Sequence, residues 1–126
     1  MKIGLLRHTL MVKGIGIDII EIERIKKAVA KSGDKFLKKV FTDHELTYCN
    51  KKSKLKVPEL AARFAAKEAY MKALGTGLRG IHFKEIEIRN DKAGQPYLKV
   101  RGKFLPKVHL SLSHSLDFAV AAVVIE

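Results

Sequence analysis

The sequence predicts an α+β fold in which helices pack on a mainly antiparallel sheet. Three observations carry that expectation. An apolar, strand-like segment begins at Gly14. Segments with helical period fill the middle as far as Leu74. From Ile81 onward the apolar period drops to two, with turn-forming residues spaced to make two hairpins. A chain of 126 residues is long enough for one domain with its own core and too short for two ordinary ones.

The elements follow in order. Gly14 to Ile19 reads as a short buried strand whose polar end is Asp18. Glu21 to Lys31 reads as a helix with Ile22, Ile25, Ala28 and Val29 as its apolar stripe, closed by Ser32-Gly33. Asp34 can start a second short helix carrying Phe36, Leu37, Val40 and Phe41. Thr42-Asp43-His44-Glu45 matches a capping box and marks another helix start. Lys51 to Val57 reads as a polar connection. Pro58 opens the clearest helix, which runs to Leu74 and ends at Gly75. One of its faces carries Leu60, Phe64, Met71 and Leu74, and another carries Ala62, Ala66, Ala69 and Ala73. Glu68 and Lys72 lie one turn apart on a narrow polar strip between them. Ile81, Phe83, Ile86 and Ile88 alternate with a change of phase, which predicts a bulge near Lys84-Glu85. Asn90 to Pro96 is a turn, Tyr97 to Arg101 a strand, and Val108 to Leu112 another. Ser113 to Asp117 is a tight connection into a final buried strand, Phe118 to Ile125.

Composition limits the function classes. Apolar residues make up 47% and charged residues 30%, the proportions of a globular chain. The longest apolar run, Phe118 to Ile125, is too short to span a bilayer. The first ten residues include Arg7 and His8 and lack a long apolar stretch, so no secretory signal is expected. Met11-Val12-Lys13 would be a natural start. Residues 1–11 are therefore expected to be a non-essential extension before a single domain over 12–126. The lone cysteine, Cys49, has no partner for a disulfide or a zinc site, which fits a reducing cytoplasm. The net charge of +12 is concentrated. Residues 24–56 hold ten Lys and one Arg against Asp34, Asp43 and Glu45, a local +8. A face of this kind attracts an anionic partner, unless it is only a solvated surface.

Four features could carry chemistry. Asp18, placed after Gly-Ile-Gly-Ile, is either the N-cap of the following helix or a cation ligand. Glu68 is either half of an intrahelical ion pair with Lys72 or, with a second carboxylate, a Mg²⁺ ligand beside substrate phosphates. Lys72 with Gly75-Thr76-Gly77 could hold phosphate, although a lysine there also suits the helix dipole and the pattern is not a Walker motif. His114 lies among Ser111, Ser113 and Ser115, without the Gly-x-Ser-x-Gly elbow of a serine hydrolase. It is a solvated loop histidine or one that orients a phosphate or proton. A basic nucleic-acid-binding module is the alternative function. Against it stand the absence of an RNP, zinc-finger or helix-turn-helix signature, the absence of Trp and an aromatic content of only 7%.

Taken in order, the segments resemble the small holo-acyl-carrier-protein synthases of the 4′-phosphopantetheinyl transferase family. The matching stretches are Gly14-Ile15-Gly16-Ile17-Asp18-Ile19 and Phe41-Thr42-Asp43-His44-Glu45-Leu46. The most specific is Arg63-Phe64-Ala65-Ala66-Lys67-Glu68-Ala69, continuing through Lys72-Ala73-Leu74-Gly75-Thr76-Gly77. Glu85-Ile86-Glu87-Ile88, Gly94-Gln95-Pro96-Tyr97 and Leu110-Ser111-Leu112-Ser113-His114-Ser115 complete it.

The resemblance implies a phosphopantetheinyl transferase-like fold and a reaction of fatty acid biosynthesis. The phosphopantetheine arm of coenzyme A moves to a serine of apo-acyl carrier protein, and adenosine 3′,5′-bisphosphate leaves. It implies that Asp18 and Glu68 hold Mg²⁺. Lys72, Gly75, Thr76, Gly77, His114 and Arg63 would contact coenzyme A phosphates, with Pro96 near the adenine. Arg24, Lys26, Lys27 and Lys31 would receive the acidic carrier protein. The base that takes the serine proton is Glu68 or a metal-bound water, a choice the sequence leaves open. The resemblance also implies a cytoplasmic homotrimer with its active site at a subunit boundary, engaging neither membrane nor nucleic acid.

Overall fold

This computed structural model describes residues 11–75 and 80–126. The expected extension, apart from Met11, lies outside the described residues, as do Thr76 and Gly77. Strand β1 (Gly14–Glu21) leads into helix α1 (Ile22–Val40) and helix α2 (Asp43–Cys49). A ribbon of two short strands, β2 (Asn50–Lys51) and β3 (Lys54–Leu55), precedes helix α3 (Val57–Leu74). A 3₁₀ turn over Phe83–Glu85 then feeds β4 (Ile86–Asn90), β5 (Pro96–Val100), β6 (Lys103–Phe104), β7 (Val108–His114) and β8 (Phe118–Ile125). Every strand pairing is antiparallel. One sheet has the order β1-β8-β7 and another the order β4-β5-β6. The expected α+β class therefore holds.

Helix α3 is the centre of the molecule and packs on β1, β8 and β7. Its alanines explain the fit. Ala61, Ala65, Ala66 and Ala69 are all fully buried, so the helix backbone lies close to its neighbours on more than one side. Phe41, Leu60, Ile86, Ile88, Leu98 and Val123 fill the space around it. Each such side chain contributes roughly 1.5–3 kcal/mol on burial. Gly75 ends the helix in the left-handed conformation at φ 73°, as its position after Leu74 predicts.

Several local expectations are confirmed. Thr42 and Glu45 form the reciprocal capping box. Gly33, at φ 49° and ψ −126°, kinks α1 where two helices were expected to meet. Others need correction. The strand β1 does not stop at Asp18 but runs to Glu21, and Glu21 is the residue that precedes α1. Asp18 is therefore not the helix cap. The phase change near Lys84-Glu85 comes from the 3₁₀ turn and not from a bulge. The connection after Lys51 contains the β2–β3 ribbon. Neither β1 nor β8 is buried on both faces. Gly14, Gly16, Asp18 and Ile20 face α3, while Ile15, Ile17 and Ile19 are 68%, 62% and 64% exposed on the other side.

Candidate functional site

β1 and α3 bring three of the predicted residues together. Lys72 Nζ donates to Asp18 Oδ1 at 2.9 Å and to the Ile17 carbonyl oxygen at 3.2 Å. The Asp18 side chain is only 11% exposed, whereas that of Lys72 is 57% exposed. Lys72 therefore pairs across the sheet–helix contact, and the expected intrahelical partnership with Glu68 is not the one formed. The hydrogen bond to Asp18, and then its charge, hold the Lys72 ammonium above the usual lysine range.

Glu68 sits one turn before Lys72, half-buried between Ala65 and Ala69 on one side and Met71 on the other. Burial, and then the negative charge of Asp18, raise its carboxyl above the ordinary glutamate range. Lys72 and Arg24 oppose that shift. The Asp18 charge thus adds to burial in disfavouring ionisation of Glu68. This is the electrostatic condition that a bound cation relieves.

The donor set also narrows the class of cation. It offers only carboxylate oxygens, which suit a hard ion. Among the described residues no group of three or more His, Cys, Asp or Glu converges, so the protein supplies no complete cage. Two carboxylates that leave other positions to water and substrate phosphate fit Mg²⁺.

The remaining predicted residues lie around this centre at different distances. His114 ends β7, exposed, on the helix-facing side of the sheet. Through β8 it stands in the row of Ala119 and Ile20, next to the row that holds Leu112, Ala121 and Asp18. Pro96 opens β5 and, with Gln95, Tyr97 and Phe104, lines a cleft of about 640 Å³. Arg24, Lys26, Lys27 and Lys31 are exposed along α1. Lys26 shares a second cleft of about 670 Å³ with Lys54, Lys56 and Phe118.

Arg63 departs from its expected place. It is 4% exposed and lies half a helical turn away from Lys72 around α3. Its Nη1 donates to the Glu59 carbonyl at 3.1 Å and its Nη2 to Asn90 Oδ1 at 2.8 Å. The guanidinium carbon stands 4.6 Å from the centre of the Tyr48 ring. Within one copy of the chain it does not join Asp18, Glu68 and Lys72.

Sequence reasoning missed Lys67 and overlooked the depth of Glu45. Both are fully buried and paired at 2.7 Å. Lys67 Nζ also donates to the carbonyls of Val40 at 2.7 Å and Phe83 at 3.0 Å. Glu45 accepts from Thr42 N at 3.0 Å and Ile88 N at 2.8 Å. Burial pulls the Lys67 ammonium below the lysine range, and the Glu45 carboxylate resists that pull. The capping box pointed to Glu45; no local signal marks Lys67.

Comparison with known proteins identifies the family. Residues 14–124 match the model of the 4′-phosphopantetheinyl transferase superfamily. The holo-[acyl-carrier-protein] synthase of Halothermothrix orenii is 48% identical over 122 residues, covering 90% of this chain and 97% of that relative. A Bacillus anthracis holo-(acyl-carrier-protein) synthase, solved in complex with CoA (3′,5′-ADP), superposes with a TM-score of 0.78 at 45% identity, covering 93% of this chain and 98% of that one. The Neisseria meningitidis holo-[acyl-carrier-protein] synthase gives a TM-score of 0.80 at 37% identity, with coverage of 92% and 99%. The chain belongs to the 4′-phosphopantetheinyl transferase superfamily, in the company of its small holo-acyl-carrier-protein synthases.

Proposed function

We propose that this chain moves the 4′-phosphopantetheine group of coenzyme A to a serine of apo-acyl carrier protein, with Mg²⁺ as cofactor. The observation that carries the reading is the convergence of Asp18 of β1 with Glu68 and Lys72 of α3, 50 and 54 residues further along the chain. The coenzyme A ligand of the Bacillus anthracis relative supports the choice of donor.

The chemistry follows from charge. The attacked phosphorus belongs to a pyrophosphate whose oxygens repel an incoming hydroxyl oxygen. Asp18 and Glu68 would hold Mg²⁺, which would supply charge to neutralise part of that repulsion. The Lys72 ammonium, exposed beyond Asp18, faces the same phosphates and stabilises negative charge on the departing group. Glu68, or a water beside the cation, would take the serine proton. The new bond joins serine oxygen to phosphorus, and the bond to the adenosine 3′,5′-bisphosphate oxygen breaks. Gly75, Thr76, Gly77 and His114 are assigned to the phosphates, and Pro96, in its cleft, to the adenine.

The assembly is proposed to be a homotrimer. Ile15, Ile17 and Ile19, with Ala122 and Phe118 beside them on β8, leave an apolar sheet face open to water. An uncovered face of that kind favours association. A subunit boundary also reconciles Arg63 with a phosphate role, because a neighbouring copy would bring its guanidinium to the site. The exposed α1 cations receive the acidic carrier protein, and the enzyme works in the cytoplasm.

The test is direct. Incubation with coenzyme A, Mg²⁺ and apo-carrier protein should add the mass of phosphopantetheine to the carrier in a mass spectrum. A carrier that gains no mass at any Mg²⁺ concentration overturns the reading.

A further inference from the structure

Two glycines of β1 touch α3 more closely than any other residue type would permit. A Cβ on Gly16 would lie 1.8 Å from the Ala69 carbonyl oxygen, and one on Gly14 would lie 2.1 Å from the Ala73 carbonyl oxygen. Contacts under 3.0 Å are essentially absent for real Cβ atoms. The atoms met are helix backbone and cannot rotate away. Any side chain at residue 16 therefore has to push the strand off the helix by at least about 1.2 Å, the shortfall between 1.8 and 3.0 Å.

Gly16 and Asp18 lie on the same face of β1, two residues apart. Ala69, which Gly16 touches, directly follows Glu68 and lies three residues before Lys72. The sheet–helix spacing at Gly16 therefore bears on the placement of Asp18 against Lys72 and the Glu68 turn of α3. We infer that Gly16 is a positioning residue: its bare backbone contact with Ala69 sets the carboxylate separation, and through it the size of cation the pair accepts. Mg²⁺ demands oxygen distances of 2.0–2.1 Å, whereas Ca²⁺ takes 2.3–2.6 Å. A displacement of the order just derived is large on that scale.

This inference rests on the metal reading proposed above, so the experiment has one arm that needs no metal. Gly16→Ala is compared with the parent protein in three ways. Its metal-free crystal structure should show β1 displaced from α3, with the 2.9 Å contact between Asp18 and Lys72 broken. Calorimetric titration of the intact protein with Mg²⁺ and with Ca²⁺, each in the presence of coenzyme A, should show the Mg²⁺ affinity falling at least tenfold. The Ca²⁺ affinity should fall much less. Adding Asp18→Glu, which lengthens the carboxylate by one methylene, should recover part of the Mg²⁺ affinity. A purely structural role would lower the melting temperature and leave the Mg²⁺/Ca²⁺ ratio of the folded protein unchanged, and that result overturns the inference.

If the parent protein binds neither ion, the metal reading fails; a displaced strand with the Asp18–Lys72 contact broken would still support the spacing role, and an unmoved strand would defeat it. Should Gly16→Ala not fold, Gly14→Ala serves instead. Its clash lies nearer the strand end and should produce the same change in ion preference, smaller in size. An unchanged ratio there also overturns the inference.

Discussion

Lys67 Nζ stands 2.7 Å from Glu45 Oε1 with both side chains fully buried, immediately before the glutamate of the candidate site. Four more hydrogen bonds complete the pair: two from backbone N–H groups to Glu45 and two from Lys67 to backbone carbonyls. They tie α3 to the end of α1, the start of α2, the 3₁₀ turn and β4.

Removing one partner leaves the other as an uncompensated buried charge. Lys67→Met is expected to cost about 3–5 kcal/mol in urea unfolding at neutral pH. Lys67→Met combined with Glu45→Gln should recover a substantial part of that loss. A single variant within about 1 kcal/mol of the parent would show that the pair does not carry charge in the folded protein.

Glu68→Gln should separate stability from activity. The Glu68 carboxyl holds its proton more tightly in the folded chain than in the unfolded one. The stabilisation linked to that proton is fully present below the ordinary value of 4.5 and is lost as pH rises through the raised value. At pH 7 the metal-free protein therefore carries a disfavoured carboxylate that glutamine removes. The variant should melt higher than the parent at pH 7, and no higher at pH 4. Its turnover of carrier protein should fall by orders of magnitude. Near-normal turnover would remove Glu68 from the reacting centre.

Arg24→Glu should act on the partner. Arg24 is exposed near the start of α1. Steady-state kinetics at several salt concentrations should show a raised KM for the carrier protein and a weaker salt dependence, with kcat nearly retained. An unchanged KM would place the docking face elsewhere.

Ile17→Lys puts a charge in the middle of the bare sheet face without disturbing the buried side of β1. Sedimentation of the variant should give monomers, against the trimers expected of the parent, and transferase activity should fall with assembly. A variant that still sediments as a trimer would mean that copies meet elsewhere.

The fold could be read from the sequence wherever local chemistry decides structure. Pro58 and Gly75 bracket α3, Thr42 and Glu45 announce α2, and the alternation after Ile86 marks the strands. The first strand departs from the full burial that its apolar run predicts. Its isoleucines alternate with Gly14, Gly16 and Asp18, and hydrophobicity alone assigns the isoleucines to the core. The glycine side is the one against α3, because missing side chains allow backbone contact with the helix.

At the site, Asp18, Glu68 and Lys72 were each suspects, but their meeting depends on a sheet–helix contact that spacing cannot show. Lys67 stayed hidden for a related reason. In a chain with 25 basic residues, one more lysine reads as solvated until its three oxygen partners, distant in sequence, are placed around it.

The kink at Gly33 divides α1 into two halves. Both display cations to solvent, Arg24, Lys26, Lys27 and Lys31 before it and Lys35, Lys38 and Lys39 after it, and the second half ends at Val40, whose carbonyl oxygen accepts from Lys67. The bend turns the lysines of the two halves along two axes, so an approaching anion meets positive charge over a broader front than one straight helix would offer.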